Sequence, residues 1–450
     1  MLSFERIEMK IFRSLPIVFR VLLALPIFTW ILYFLFGNRI IAALYAGKTF
    51  GFLGGVINAS AGHPLENYLS YGNYLITVAT VWYLIGIFLL LGLYLMILRK
   101  YFGVMALNLV AAVAFYEIML RLLIAHPGWI AKMPEQVHRH LRQMYEKVDL
   151  KILHLQEGCI RYDPDVTYTL NPGQFIFSSL EFKTKYYVNA SGFRDDDESL
   201  HGPEIIVLGD SFAMGAGVEQ DEAFPEIIER RTGLKVLNTG VVSYATVREM
   251  RLLKRLDTSN LKFLIVQYYE NDLSENMYYL KHGDLKITDS KAYAQLLADS
   301  RRRYNKHNKI FRYTPYLFTE MFRGVNYLIQ TANARWRNVG QGLEDNSSPT
   351  EVEVKAFLNA LNNVDSIPDN VRVIVLTVDY PAKASKFNAE LIRQKNLPQY
   401  CAAVRKLIVV DLAGKLHPEH SFVLDGHLNA KGHALVADEI IKSLDRPGRP

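Results

Sequence analysis

Cysteine and tryptophan are scarce: the 450 residues hold two of the first and four of the second. Cys159 and Cys401 are too few for a thiolate metal site, and a single pair is no disulfide framework. They either pair in an oxidising compartment or stay free thiols. One-sided charge is missing too. A net charge of +6 is small for this length, and the basic clusters at 99–100, 139–151 and 301–309 lie beside apolar runs or in one long connection. That distribution suits contact with an anionic membrane surface and argues against a nucleic-acid footprint.

Apolar residues are plentiful but unevenly spread, and the length suggests two or three domains. Residues 1–125 hold long, nearly uncharged runs. The run 15–36 is apolar apart from Arg20, 74–98 has no charged residue, and 101–124 is interrupted by Glu117 and Arg121. Each is about long enough to cross a hydrocarbon core of roughly 30 Å. Glu117 and Arg121 stand four apart, on one helical face, where they would neutralise each other. The stretch 40–57 is glycine-rich, carries Lys48, and reads as interfacial or re-entrant. Arg6, Lys10, Arg13, Arg99 and Lys100 belong on the cytoplasmic side under the positive-inside rule. Three spans then put everything after residue 125 on the outer side of the membrane; a fourth at 40–57 would reverse the sidedness.

Residues 126–157 form a basic, amphipathic connector, expected to lie along the membrane surface or to be an ordinary solvated helix. From 158 to 197, Tyr, Phe, Thr and Val alternate with polar residues between turn signals at Asp163-Pro164 and Asn171-Pro172-Gly173, which predicts a small antiparallel addition. Strand-like runs then appear at 205–208, 235–237, 263–268, 371–378 and 407–411. Helix-like runs at 222–231, 246–256, 351–363, 388–405 and 430–444 separate or follow them. The alternation predicts an α/β domain over 158–445, with a five-stranded parallel sheet covered on both faces. An insertion at about 276–350, rich in Tyr, Arg and Lys, interrupts it between the third and fourth strands.

Two short stretches carry the chemistry. The first strand stops at Gly209-Asp210-Ser211-Phe212, a tight turn that sets a serine at the carboxyl edge of the sheet, where open α/β folds place ligands. Near the other end stands Asp425-Gly426-His427. One residue apart, the aspartate and histidine would leave the same side of an extended chain. A serine nucleophile needs a base for its proton and a carboxylate to orient that base, and this pair can supply both. Asn429 reads as a helix cap, His433 as a packed histidine, and Glu270 and Asp272 as solvent-facing or loop-stabilising groups.

GDSF at 209–212, Gly240 in NTG, Asn271 in ENDL and DGH at 425–427 occur in the order of the SGNH (GDSL-type) hydrolases, and over about 160–445 the chain resembles a membrane-anchored bacterial branch of that family. GFRD before the first strand and GVEQDEAFP after it add to the likeness. The resemblance implies a flavodoxin-like, three-layer α/β/α fold and serine ester chemistry with no metal and no cofactor. It implies Ser211 as nucleophile, His427 as general base and Asp425 as its orienting partner. The oxyanion hole would comprise the N–H groups of Ser211 and Gly240 with the Asn271 amide, each donor lowering the barrier by roughly 3–4 kcal/mol. Tyr269 stands where the family usually has glycine, and one residue rather than two separates Asp425 from His427. The expected activity is an esterase removing acyl groups from envelope glycans or lipids, with an O-acyltransferase and a non-catalytic envelope scaffold as alternatives. The expected partners are the lipid bilayer, an acylated glycan or lipid, and other polysaccharide-modifying membrane proteins of the envelope.

Overall fold

The computed structural model describes residues 102–133, 135–305, 311–316, 349–362, 370–379 and 381–444, with isolated positions at 83, 86 and 319. The chain divides into two compact units, 1–122 with 310–345, and 123–309 with 346–450. The expected insertion is therefore shared between them.

In the first unit the described part is mostly helix α1 (Phe102–Ala125). Glu117 is buried at 2% exposure and accepts from Arg121 Nε at 3.0 Å, the pair expected from their spacing. It also accepts the backbone N–H groups of Arg312, Tyr313 and Thr314 at 2.6, 3.0 and 2.9 Å, so one carboxylate gathers residues almost two hundred positions downstream. Among the described residues no helix is long and apolar enough to cross a membrane. The uncharged stretch of α1 ends at Tyr116. At about 1.5 Å per residue it falls short of a roughly 30 Å hydrocarbon core. The expected spans at 15–36 and 74–98, and the stretch 40–57, lie outside the described residues.

In the second unit a short helical turn, Pro127–Ile130, leads to α2 (Glu135–Val148), followed by two antiparallel hairpins, β1 (Ile160–Asp163) with β2 (Thr167–Leu170), and β3 (Gly173–Ser178) with β4 (Lys183–Val188). The Asp163 carboxylate makes the first turn by accepting the N–H groups of Asp165 and Val166 at 2.9 and 3.1 Å. These hairpins are the antiparallel addition that the alternation predicts. The central sheet follows: β5 (Ile205–Leu208), β6 (Val236–Asn238), β7 (Phe263–Tyr268), β8 (Arg372–Thr377) and β9 (Ile408–Val410). All four pairings are parallel, in the order β6-β5-β7-β8-β9, the flavodoxin-like arrangement.

Alternation along each strand sorts the core into two layers. Ile206, Leu208, Leu264, Val266, Val373 and Val375 face one way, against α5 (Thr246–Leu253), α8 (Pro349–Asn362) and α9 (Pro381–Gln394). Ile205, Val207, Ile265, Ile374 and Leu376 face the other, against α4 (Phe224–Thr232) and α11 (Ala430–Leu444). Between them in chain order come α3 (Ser211–Met214), α6 (Leu273–His282), α7 (Ser290–Asn305) and the short α10 (Ala402–Arg405). The single helix expected over 388–405 is in fact α9 and α10, because Pro398 removes a backbone donor and pushes Leu397 out of helical geometry. Both cysteines are free, Cys159 buried and Cys401 exposed.

The connector departs from expectation in a way that matters for function. Helix α2 packs on the α/β unit, with Leu141, Met144 and Tyr145 buried. Its apolar stripe therefore covers protein. His138 Nε2 lies 2.7 Å from the Val423 carbonyl, which docks the helix on the loop bearing Asp425.

Candidate active site

At the end of β5 the chain turns at Gly209 and Asp210 into α3, with Ser211 at its first position. Two side chains staple that turn. Asp210 accepts the Phe212 N–H at 2.9 Å, and Gln267 Oε1, from the neighbouring β7, accepts those of Asp210 and Ala213 at 3.1 and 3.2 Å. A Cβ on Gly209 would stand 2.6 Å from both the Ala213 Cβ and Gln267 Oε1, so only glycine fits. As the first residue of α3, Ser211 has an N–H with no acceptor inside the helix.

The opposite wall is the loop 421–428, closed by the Phe422 N–H to the His427 carbonyl at 2.8 Å. It is not extended. Gly426 takes φ +85°, a left-handed conformation that glycine adopts freely, and this bend brings the Asp425 carboxylate onto His427 Nδ1. A Cβ there would also lie 1.7 Å from Arg142 Nη2, because the guanidinium of α2 rests on the glycine. His427 Nε2 stands 2.8 Å from Ser211 Oγ. Serine, imidazole and carboxylate, drawn from positions 211, 427 and 425, thus form one hydrogen-bonded line. Burial pulls the His427 imidazolium down, but the Asp425 carboxylate, with Asp210 beyond it, outweighs that and leaves its pKa raised.

Several residues that sequence reasoning passed over hold this line in place. Glu181, in the β3–β4 turn, accepts the N–H groups of Val423, Leu424 and Asp425 at 2.7, 2.7 and 2.8 Å. Burial, with the Asp425 charge adding to it, lifts its carboxyl above the ordinary value even against those three donors. From the same turn Ser179 Oγ donates to Asp425 Oδ2 at 3.4 Å, and Tyr145 of α2 shares a 2.6 Å hydrogen bond with Ser179. Arg194, in GFRD, is fully buried and stacks on the Tyr186 ring at 4.1 Å. Its guanidinium donates to the carbonyls of Met214 at 3.2 Å and Val218 at 2.7 Å, and to that of Gly215, fixing the chain just after the serine. Its neighbour Asp195 accepts the Asn238 N–H at 2.7 Å and so ties the end of β6. GFRD had a signal in the resemblance; Ser179 and Glu181 had none, being ordinary turn residues until folded against a distant loop.

The expected oxyanion donors lie at the same sheet edge. Asn271 is exposed and gives one amide hydrogen to Asp210 Oδ2 at 3.0 Å, leaving the second to be aimed elsewhere. The Gly240 N–H is donated to Asn238 Oδ1 at 3.0 Å, while its α-carbon packs so closely that a Cβ would lie 2.3 Å from the Met214 nitrogen. Gly240 is therefore needed for packing behind the nucleophile, with its donor already engaged. In the same loop Ser243 is exposed at φ +59°, a conformation that costs a non-glycine residue on the order of 1 kcal/mol. Tyr269 packs its ring 5.0 Å from that of Phe212.

Four other residues picked out in the sequence lie around the line. Asn429 Oδ1 caps α11 by accepting the N–H groups of Lys431 and Gly432 at 3.0 and 3.2 Å. His433 is packed: its Nδ1 accepts the Phe224 N–H at 3.2 Å, and burial, with Arg194 nearby, lowers its pKa to about 3. Asp272 is fully buried and accepts Thr246 Oγ1 at 2.7 Å, holding the start of α5; Glu270 pairs with Lys383 at the surface. Among the described residues no cluster of His, Cys, Asp and Glu is arranged to hold a metal ion.

No protein-family model and no curated protein matches this chain. Thirteen chains of solved structures do. One is a member of the lipolytic protein G-D-S-L family from Veillonella parvula DSM 2008, 14% identical, with a TM-score of 0.29 over 54% of this chain and 98% of that one.

Proposed function

We propose that this protein is a serine ester hydrolase in which Ser211 attacks, His427 moves the proton and Asp425 orients His427. The observation that carries the reading is the continuous line Ser211 Oγ, His427 Nε2, His427 Nδ1 and Asp425, with Nε2 2.8 Å from the hydroxyl. As Ser211 Oγ bonds to the ester carbonyl carbon, its proton passes to Nε2 and the carbonyl electron pair moves onto oxygen. Donors for that oxyanion come from the Ser211 N–H and the second hydrogen of the Asn271 amide. The tetrahedral species collapses, and the leaving alkoxide takes the proton from Nε2. Water then attacks the acyl-serine, gives its proton to His427, and the acid leaves as Ser211 is reprotonated.

Membrane anchoring belongs to the same proposal and rests on the sequence: the apolar runs at 15–36 and 74–98, flanked by Arg6, Lys10, Arg13, Arg99 and Lys100. The substrates would then be acyl esters of envelope glycans or lipids. A fluorophosphonate probe applied to intact and to lysed cells tests chemistry and sidedness together. Labelling of the wild type, abolished by Ser211→Ala, is the expected result, and whether it needs lysis reports the side of the membrane. Ser211→Ala should also cut kcat by about 10⁴-fold or more on an aryl ester. Failure of the intact protein to react with either probe would sink the reading.

A further inference from the structure

We propose that the preferred ester carries an acyl chain well beyond acetyl, and that this chain lies in a cavity beside Ser211. The inference rests on the esterase reading and names its substrate class. A cavity of about 380 Å³ opens next to the catalytic line. It is walled by Phe212, which follows the nucleophile, and by Gly426 and Leu428, which flank the base. That volume lies within the roughly 300–1,000 Å³ of clefts that enclose small organic ligands. An acetyl group would fill only a corner and leave the rest to water.

The lining decides what the space suits. Tyr269, Val378, Leu416 and Phe422 extend the carbon surface begun by Phe212 and Leu428. The lining also includes His138, Arg139 and His417; of its other ionic groups, Arg142 rests on Gly426 and bonds Glu146 at 3.0 Å, and Asp379 meets Lys383 at 3.4 Å. A sugar ring placed there would turn hydroxyls towards phenyl and aliphatic faces, which costs free energy unless each finds a hydrogen bond. A hydrocarbon chain has no such requirement. With the carbonyl carbon bonded to Ser211 Oγ, the chain need only pass Phe212 to enter. Tyr269 contributes directly to this wall, its ring standing against Phe212.

The test is a chain-length series on the full protein, using p-nitrophenyl acetate, butyrate and octanoate so that the leaving group stays constant. Each methylene moved out of water is worth about fourfold, so kcat/KM for octanoate should exceed that for acetate by at least about tenfold. Leu416→Trp, which fills the cavity, should lower the octanoate-to-acetate ratio by about tenfold. A flat series, or a preference for acetate, with Ser211 still labelled by fluorophosphonate, overturns this inference and leaves the esterase reading standing. So does an unchanged ratio in a folded Leu416→Trp protein. Inertness towards all three esters with no labelling brings down the esterase reading, and this inference with it.

Discussion

Gly426 meets two demands that no other residue satisfies together. Its φ of +85° turns Asp425 onto His427, and its bare α-carbon leaves room for the Arg142 guanidinium. Gly426→Ala should cost about 1–3 kcal/mol through backbone strain alone and lower kcat/KM on the order of 100-fold as the carboxylate is displaced. Adding Arg142→Ala removes the steric conflict but not the strained φ, so kinetics on both variants should show only partial recovery. Glu181 is a positioning residue of another kind. A glutamine there keeps one acceptor oxygen and turns an amide donor towards backbone donors, which loosens the segment 423–425. Glu181→Gln should lower kcat/KM by about 10- to 100-fold. A loosened Asp425 stabilises the imidazolium less, so the His427 pKa falls from its raised position. The acid limb of the kcat/KM profile, which marks loss of the neutral base as pH falls, should therefore move to lower pH. A loss of activity with the limb unmoved would mean that Glu181 matters only for folding.

At the scale of elements, the β3–β4 hairpin and α2 come from outside the central sheet, yet both reach the loop 421–428. Tyr145 touches Ser179, and Ser179 touches Asp425, so α2 bears on the acid through one intermediate. Tyr145→Phe removes that hydroxyl while keeping the buried ring. It should cost roughly 1 kcal/mol of stability and reduce kcat a few-fold, measured by urea unfolding and steady-state kinetics on one preparation. Little of this was legible beforehand. The five strands were readable because their apolar residues are continuous and bounded by turns, and the line of Ser211, His427 and Asp425 because its residues sit in two short motifs, one at the end of β5 and one in the loop before α11. The clamp on residues 423–425 was not, since Glu181 and its partners lie more than two hundred positions apart and no local pattern links them. The docking of α2 was missed for a related reason. An amphipathic stripe records that something apolar will cover it, and a membrane, a partner and the chain's own loop satisfy the stripe equally. The split of 388–405 was legible in Pro398, a single breaker outweighed by the periodicity around it.

For the whole molecule, buried carboxyl groups set how stability responds to pH. Asp195 is 5% exposed, and burial, with the charge of Glu226 nearby, pushes its pKa to about 8. Glu249 and Asp272 are each about fully buried, and burial, with the Asp272 charge acting on Glu249 and the Asp210 charge on Asp272, raises both well above the carboxylate range. Neither Glu249 oxygen has a hydrogen-bond partner, nor does Asp272 Oδ1, as befits a pair that keeps at least one proton. In the unfolded chain all three ionise near pH 4. Their stabilising contribution is therefore complete below that value and drains away as pH rises, for Asp195 through about pH 8. His427, also raised in the folded state, acts in the same sense just above its ordinary range. His433 and His154, whose pKa values burial lowers to about 3 and about 4, oppose this near pH 6.5, but by at most about half a proton each, and the opposition fades towards pH 8. Between pH 6.5 and 8 the folded protein thus binds more protons than the unfolded one. Its stability should fall with rising pH, by at most about 1.4 kcal/mol per pH unit for each extra proton held. Thermal midpoints across that window should decline steadily. Asp195→Asn, which cannot titrate, should flatten the slope by about one proton's share whatever it does to the absolute midpoint. A midpoint that rises from pH 6.5 to 8, or an Asp195→Asn slope equal to that of the wild type, would show that Asp195 is ionised in the folded protein.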